Sequence, residues 1–212
     1  MPVTTARRLL STWTVALLTT AVAAAADPAP RIDLNHPFAG AEWSLTDIDG
    51  TTHHPWSKPE TRAVVLVFIS PDCPVANYFQ PTLRRIIDQY QSAGVEFYFV
   101  HPLPQVTAAR ARQHVQDYSI PVPVVLDPRM QLARASGAKK TPEAAVVNRN
   151  GAIAYLGRID DTFVGFGKRR AQPTQNNLRD AIGDVVAGRL VPVPRTEAVG
   201  CFIPYQTASA GR

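Results

Sequence analysis

Cysteine is scarce in this chain of 212 residues: there are two, Cys73 and Cys201. They are far apart in sequence, and position 76, three residues after Cys73, is Ala76. A local Cys-x-x-Cys dithiol is therefore excluded, and with it the Cys-x-x-Cys-His pattern that attaches haem. Charge is also modest, with 18% charged residues and a net charge of +5, two units of which belong to Arg7 and Arg8 near the start. No basic stripe or recognisable module supports nucleic-acid binding. Beyond the N-terminus no apolar run is long enough to span a bilayer. Repeats and low-complexity tracts are missing too. The doublet His53-His54 has no third ligand at useful spacing, and neighbours on a strand point to opposite faces, so no metal site is implied. Gly165-Phe166-Gly167-Lys168-Arg169-Arg170 lacks the full phosphate-loop pattern and a buried strand before it. It reads as a basic surface loop suited to an acidic partner, with Arg158, Asp160 and Asp161 as a local polar cluster.

What is present begins with an export pattern over residues 1–26. Arg7 and Arg8 form a basic leader, Val15 to Leu18 and Ala21 to Ala26 an apolar stretch, and Ala24-Ala25-Ala26 a small-residue cleavage site. Asp27-Pro28-Ala29-Pro30 follows directly, which favours cleavage over a retained anchor. A periplasmic or secreted protein with no stable membrane span after cleavage is expected. The remaining chain is long enough for one domain with its own core. Two cysteines in an exported protein permit a disulfide.

Residues 27–60 form a turn-rich extension in which Glu42–Thr46 and Thr51–His54 flank the turn Asp49-Gly50 as a small hairpin. The domain proper is expected over 61–190. Ala63 to Ile69 is continuously apolar, as in a parallel strand buried on both faces. Val75, Phe79, Leu83, Ile86, Ile87 and Tyr90 then recur at helical spacing up to Gly94. Val95–Val100 reads as a strand, Thr107–Tyr118 as a helix, Val122–Leu126 as a short strand and Arg129–Ser136 as a short helix. Ala144–Val147 and Ala152–Leu156 flank Asn150-Gly151 as a hairpin, and Thr174–Ala187 closes the domain as a helix stopped by Gly188. Residues 191–212 are a proline-interrupted tail carrying Cys201. Parallel crossovers followed by an antiparallel hairpin give an α/β protein, a mixed sheet flanked by helices.

Cys73 stands where this pattern is most informative. The buried strand delivers Ser70-Pro71-Asp72-Cys73-Pro74 to the start of a helix, and proline at the first helical position puts Cys73 at the N-cap. Backbone N–H groups and the helix dipole stabilise a thiolate there. Small buried cysteines are common in cores, but that setting makes Cys73 the candidate nucleophile. His101 ends the second parallel strand at the same sheet edge and is a candidate base or polarising group.

The arrangement resembles the thioredoxin fold. Cys73 lies at the strand–helix junction, Pro81 stands where such proteins carry a kinking proline, and Thr141-Pro142 directly precedes the C-terminal hairpin. The extra strand and short helix before Thr141 resemble the redoxin branch, the AhpC/TSA and TlpA-like proteins, over roughly residues 41–190. That resemblance implies a cis Thr141-Pro142 bond facing Cys73, with Thr141 and Pro142 shaping the substrate site. It departs from the family at Ala76, where a second cysteine is expected. Relative to the peroxidase loop Pro-x-x-x-Thr-x-x-Cys, Ser70 stands at the threonine position and Leu66 at the proline position.

The resulting expectation is an exported, thiol-dependent antioxidant or oxidoreductase with no bound cofactor. Cys73 attacks a disulfide or peroxide, and an external thiol reductant supplies electrons. Cys201 is the candidate to resolve the intermediate by thiol exchange. The same pair is alternatively a permanent staple, worth about 3–5 kcal/mol in the chain-entropy model, or a link between chains. Loss of the second local cysteine also suits a non-catalytic thioredoxin-like binding or assembly module. Copper delivery, known among some thioredoxin-fold relatives, uses a Cys-x-x-x-Cys pair, and position 77 here is Asn77.

Overall fold

The computed structural model describes Met1 and residues 36–205; the expected signal segment and residues 206–212 lie outside the described residues. The extension contains the expected hairpin, in which β1 (Leu45–Thr46) pairs antiparallel with β2 (Thr52–His53). Asp47 holds its turn by accepting the Asp49 and Thr51 N–H groups at 2.9 Å, and His53 Nε2 lies 2.8 Å from its other oxygen.

The domain follows as β3 (Ala63–Phe68), α1 (Pro74–Tyr78), α2 (Gln80–Tyr90), β4 (Val95–His101), α3 (Ala108–Tyr118), β5 (Val124–Leu126) and α4 (Gln131–Ser136). Then come β6 (Lys140–Thr141), β7 (Glu143–Asn148), β8 (Ile153–Gly157), β9 (Phe163–Gly165), β10 (Lys168–Arg169), α5 (Asn177–Val186) and β11 (Cys201–Phe202). The helical spacing from Val75 to Tyr90 is divided at Phe79 into α1 and α2. Pro81 explains the break, because it has no N–H to donate back to the preceding turn and its ring crowds that turn.

Five strands form the central sheet in the order β5-β4-β3-β7-β8. β3 and β4 are parallel, as are β4 and β5, whereas β7 is antiparallel to both β3 and β8. This is the thioredoxin-type mixed sheet. Side chains alternate across a strand, so β3 supplies both faces. Val65 and Val67 pack with Leu83, Ile87, Ala111, Leu178 and Ile182 from α2, α3 and α5. Val64, Leu66 and Phe68 pack with Phe38 and Trp56 of the extension, Ala133 of α4 and Ile203 of the tail. Every residue of β3 is buried, which is why its sequence is an unbroken apolar run.

The described part of the proline-interrupted tail is tied to the domain. Leu156 N–H donates to Pro194 O at 2.9 Å and Thr196 N–H to Leu156 O at 3.2 Å. Thr196 lies so close to β8 that a Cβ on Gly157 would sit 2.1 Å from its Oγ1. Ala198 and Ile203 are buried. Two short ladders escape periodicity analysis altogether: β9 with β10, and β6 with β11.

Helix α4 leads into β6 and is held by an unusual cap. Met130, at its N-cap, has φ 55° and offers no capping side chain. Asp127 instead accepts the Gln131 N–H at 2.7 Å and the Ala133 N–H at 3.0 Å. Replacing Asp127 with Ala leaves the buried Ala133 donor and the half-buried Gln131 donor unpaired and is expected to lower the unfolding free energy by about 1–3 kcal/mol. Urea denaturation checks this, with Asp127→Asn, which keeps one acceptor, expected to lose less.

Candidate active site

Cys73 is the N-cap of α1, with extended backbone at φ −95° and ψ 108° and Pro74 as the first helical residue. Its side chain is completely buried. Sγ accepts the Ala76 N–H at 3.4 Å and donates its own hydrogen to Thr141 O at 2.9 Å. Thr141 precedes Pro142 through a cis peptide bond. The cis-proline loop and the cysteine thus meet through one backbone carbonyl.

Cys201 reaches the same point from the tail. In the β6–β11 ladder it stands opposite Thr141, and Phe202 stands opposite Lys140. Ile203 N–H donates to Lys139 O at 2.9 Å, so the two-residue alternation of an antiparallel ladder makes Cys201 and Thr141 the next hydrogen-bonding pair. Both cysteines are free thiols, and their side chains interact. Burial raises the Cys201 thiol, and the hydrogen bond to and charge of Cys73 add to it, bringing its pKa to about 11.

The loop preceding Cys73 is clamped by polar groups. Ser70 Oγ accepts the Asp72 N–H at 3.3 Å, and Asp72 pairs with Arg110 at 2.9 Å. His101 is wholly buried, and its Nδ1 lies 3.2 Å from Ile69 O. A carbonyl only accepts, so Nδ1 carries the proton. Asn77 Nδ2 donates to Pro71 O at 2.9 Å, which leaves Oδ1 to accept from His114 Nε2, also at 2.9 Å. The two imidazoles lie 5.3 Å apart. Burial holds both near pKa 4, helped by His114 at His101 and by Arg110 at His114, so both are neutral at physiological pH.

Comparison with known proteins places this geometry. The model of the AhpC/TSA family matches residues 26–156, more than half of the chain. The chain belongs to the AhpC/TSA family. Thiol-disulfide oxidoreductase ResA of Halalkalibacterium halodurans is 27% identical over 98 residues, 46% of this chain and 54% of that protein. The match therefore spans about half of that relative's length. A hypothetical protein from Sinorhizobium meliloti 1021 superposes with a TM-score of 0.66 at 26% identity, covering 80% of this chain and 94% of its own. MTB dsbF, solved in mixed oxidized and reduced forms, superposes with a TM-score of 0.52 at 18% identity, covering 73% and 99%.

Among the residues singled out from sequence, this AhpC/TSA chain brings Cys73, Cys201, Thr141 and Pro142 to one point. Ser70 is buried and braces the loop through the Asp72 amide. His101 binds a loop carbonyl, and among the described hydrogen bonds it makes none to Cys73. Sequence reasoning passed over three further residues. Asn77 ties the loop to α3, and His114 orients Asn77. Glu143, buried directly after Pro142, accepts the Lys139 and Lys140 N–H groups at 2.5 and 3.0 Å and so shapes the Thr141 turn; burial raises its pKa. A carboxylate adjoining a cis-proline was the available signal for Glu143. Periodicity gave none for Asn77 or His114, whose contacts are long-range. The Gly165–Lys168 segment is the turn of the β9–β10 hairpin, and Phe163 on it stacks edge-on against Tyr78 at 5.1 Å and Phe79 at 5.6 Å.

The shifted groups carry two expected outcomes. The unfolded chain protonates its histidines near pH 6.5, whereas folded His101 and His114 resist until about pH 4. Their contribution to stability is fully present above pH 6.5 and is lost as pH falls towards 4. His114→Gln is expected to remove about half of that decline, measured by denaturant midpoints across the range. Two of the three causes raising the Cys201 pKa involve Cys73, so Cys73→Ala is expected to lower it from about 11, read by the pH dependence of Cys201 alkylation.

Proposed function

We propose that this protein is an exported thiol oxidoreductase in which Cys73 is the nucleophile and Cys201 the resolving thiol. The observation that carries this reading is the convergence of both sulfurs on Thr141: one touches its carbonyl, and the other belongs to the residue paired with its backbone. Membership of the AhpC/TSA family and similarity to a thiol-disulfide oxidoreductase support it. The basic leader and apolar stretch over residues 1–26 support export, and no helix among the described residues is long and apolar enough to cross a membrane.

The chemistry runs in two steps. The Cys73 thiol first loses its proton, releasing its bond to Thr141 O, while the Ala76 N–H remains to stabilise the negative sulfur. With a disulfide RSSR, the thiolate forms a Cys73–S–S–R bond and expels RS⁻. With a peroxide ROOH, it breaks the O–O bond, becomes Cys73–SOH and releases ROH after proton uptake. In the second step deprotonated Cys201 attacks Cys73 Sγ, forming the Cys73–Cys201 disulfide and expelling RS⁻ or hydroxide. Modification of Cys73 removes its charge, and with it the contributions by which Cys73 opposes Cys201 ionisation. A two-electron external thiol reductant restores both thiols. Thr141 and Pro142 form the wall against which the substrate lies, and no bound cofactor takes part.

Cys73→Ser is expected to lower disulfide or peroxide turnover by at least about 100-fold, because the thiolate is the reacting group. Cys201→Ser is expected to retain the first step and accumulate a Cys73 sulfenate or mixed disulfide, seen as a mass increase on the Cys73 peptide. Unchanged turnover in Cys73→Ser would remove the proposal.

A further inference from the structure

The backbone edge that Thr141 presents beside Cys73 is already filled. β11 pairs with β6 there, and the surrounding tail is built to stay. A Cβ on Gly200 would lie 2.0 Å from Thr141 O, so the tail approaches that carbonyl more closely than any residue with a side chain permits. Ala198 and Ile203 bury their side chains on either side of the cysteine. Lys140 Nζ donates to Ala198 O at 2.7 Å, and Ile203 N–H donates to Lys139 O at 2.9 Å. Further along, the Tyr205 hydroxyl bonds to Ala138 O, with the Arg134 guanidinium 4.8 Å from the ring centroid.

An extended polypeptide docking on a sheet edge gains its affinity from main-chain hydrogen bonds to that edge. Thr141 is the residue of that edge that touches the Cys73 sulfur, and its backbone is paired with Cys201. Cys201 therefore stands where a docked strand would place its own cysteine, and Cys73 and Thr141 are at most 1% exposed beneath it. We infer that β11 is an internal occupant of the polypeptide-docking edge. The substrate is accordingly a small electrophile, a low-molecular-weight disulfide or peroxide, and a polypeptide disulfide gains access only when the 199–205 segment is released. This inference rests on Cys73 being the nucleophile proposed above, and it names that site's substrate class.

The test uses the mature chain carrying Cys201→Ser, so that mixed disulfides on Cys73 accumulate. Two probes share one leaving group: hydroxyethyl disulfide, and a ten-residue extended peptide whose cysteine is joined by a disulfide to 2-mercaptoethanol. With the tail intact, the peptide disulfide is expected to react at least about tenfold more slowly than the small one. Gly200→Ala, which drives a methyl group into Thr141 O, and truncation after residue 202 are each expected to raise the peptide rate at least about tenfold. Both are expected to raise the small-disulfide rate by a distinctly smaller factor. Equal rates on the two probes with the tail intact, or an equal rise on both in the variants, would overturn the inference. A second readout needs no sulfur chemistry: fluorescence anisotropy with the same peptide bearing serine for cysteine. Binding to the released variants but not to the intact chain supports the occlusion even if Cys73 proves inert, which would overturn only the proposed function. Binding to neither form, or to both alike, overturns the occlusion itself.

Discussion

The Thr141 carbonyl is the point on which the site depends. It receives the Cys73 S–H at 2.9 Å, and its residue is held from the other side by the ladder to Cys201. The peptide bond from Thr141 to Pro142 is cis, and β7 begins at Glu143. Everything nearby serves that placement. Asp127 caps the helix leading in, Glu143 holds the amides of Lys139 and Lys140, and Gly200 leaves room for the tail. On the cysteine side, His101 and the Asn77–His114 pair hold carbonyls of the loop entering α1.

These restraints place the two thiols in different surroundings. Cys73 sits at the start of a helix with an amide donor aimed at its sulfur. Cys201 sits on a two-residue strand, raised to about pKa 11 by burial and by Cys73 itself. In the proposed cycle Cys73 attacks first, and Cys201 follows once Cys73 has reacted. In that cycle the tail supplies the partner that Ala76 cannot.

Much of the fold was legible in sequence, for identifiable reasons. β3 announces itself because both of its faces are buried, and the β7–β8 hairpin because Asn150-Gly151 suits its turn; Gly151 has φ 78°. The break at Phe79 follows from Pro81 but is invisible to a periodicity that continues through it. β6, β9, β10 and β11 are two or three residues long, too short for alternation to register. The order of the proline-rich tail has no local signal because it comes from partners far away in sequence, among them Leu156, Lys139 and Lys140. The candidate site was legible at Cys73, Thr141 and Pro142, which adjoin strong elements. The position of Cys201 and the clamp through Asn77 and His114 are properties of tertiary packing that no local pattern carries.

The central claim is that Cys73 and Cys201 form one redox pair within a single chain. Peptide mapping of the reduced protein after one equivalent of oxidant tests it most directly. The account predicts an intramolecular Cys73–Cys201 disulfide, 2 Da lighter than the dithiol, formed at a rate independent of protein concentration and fully reversed by a small thiol. Both cysteines left as free thiols, or linked only between chains, would contradict it.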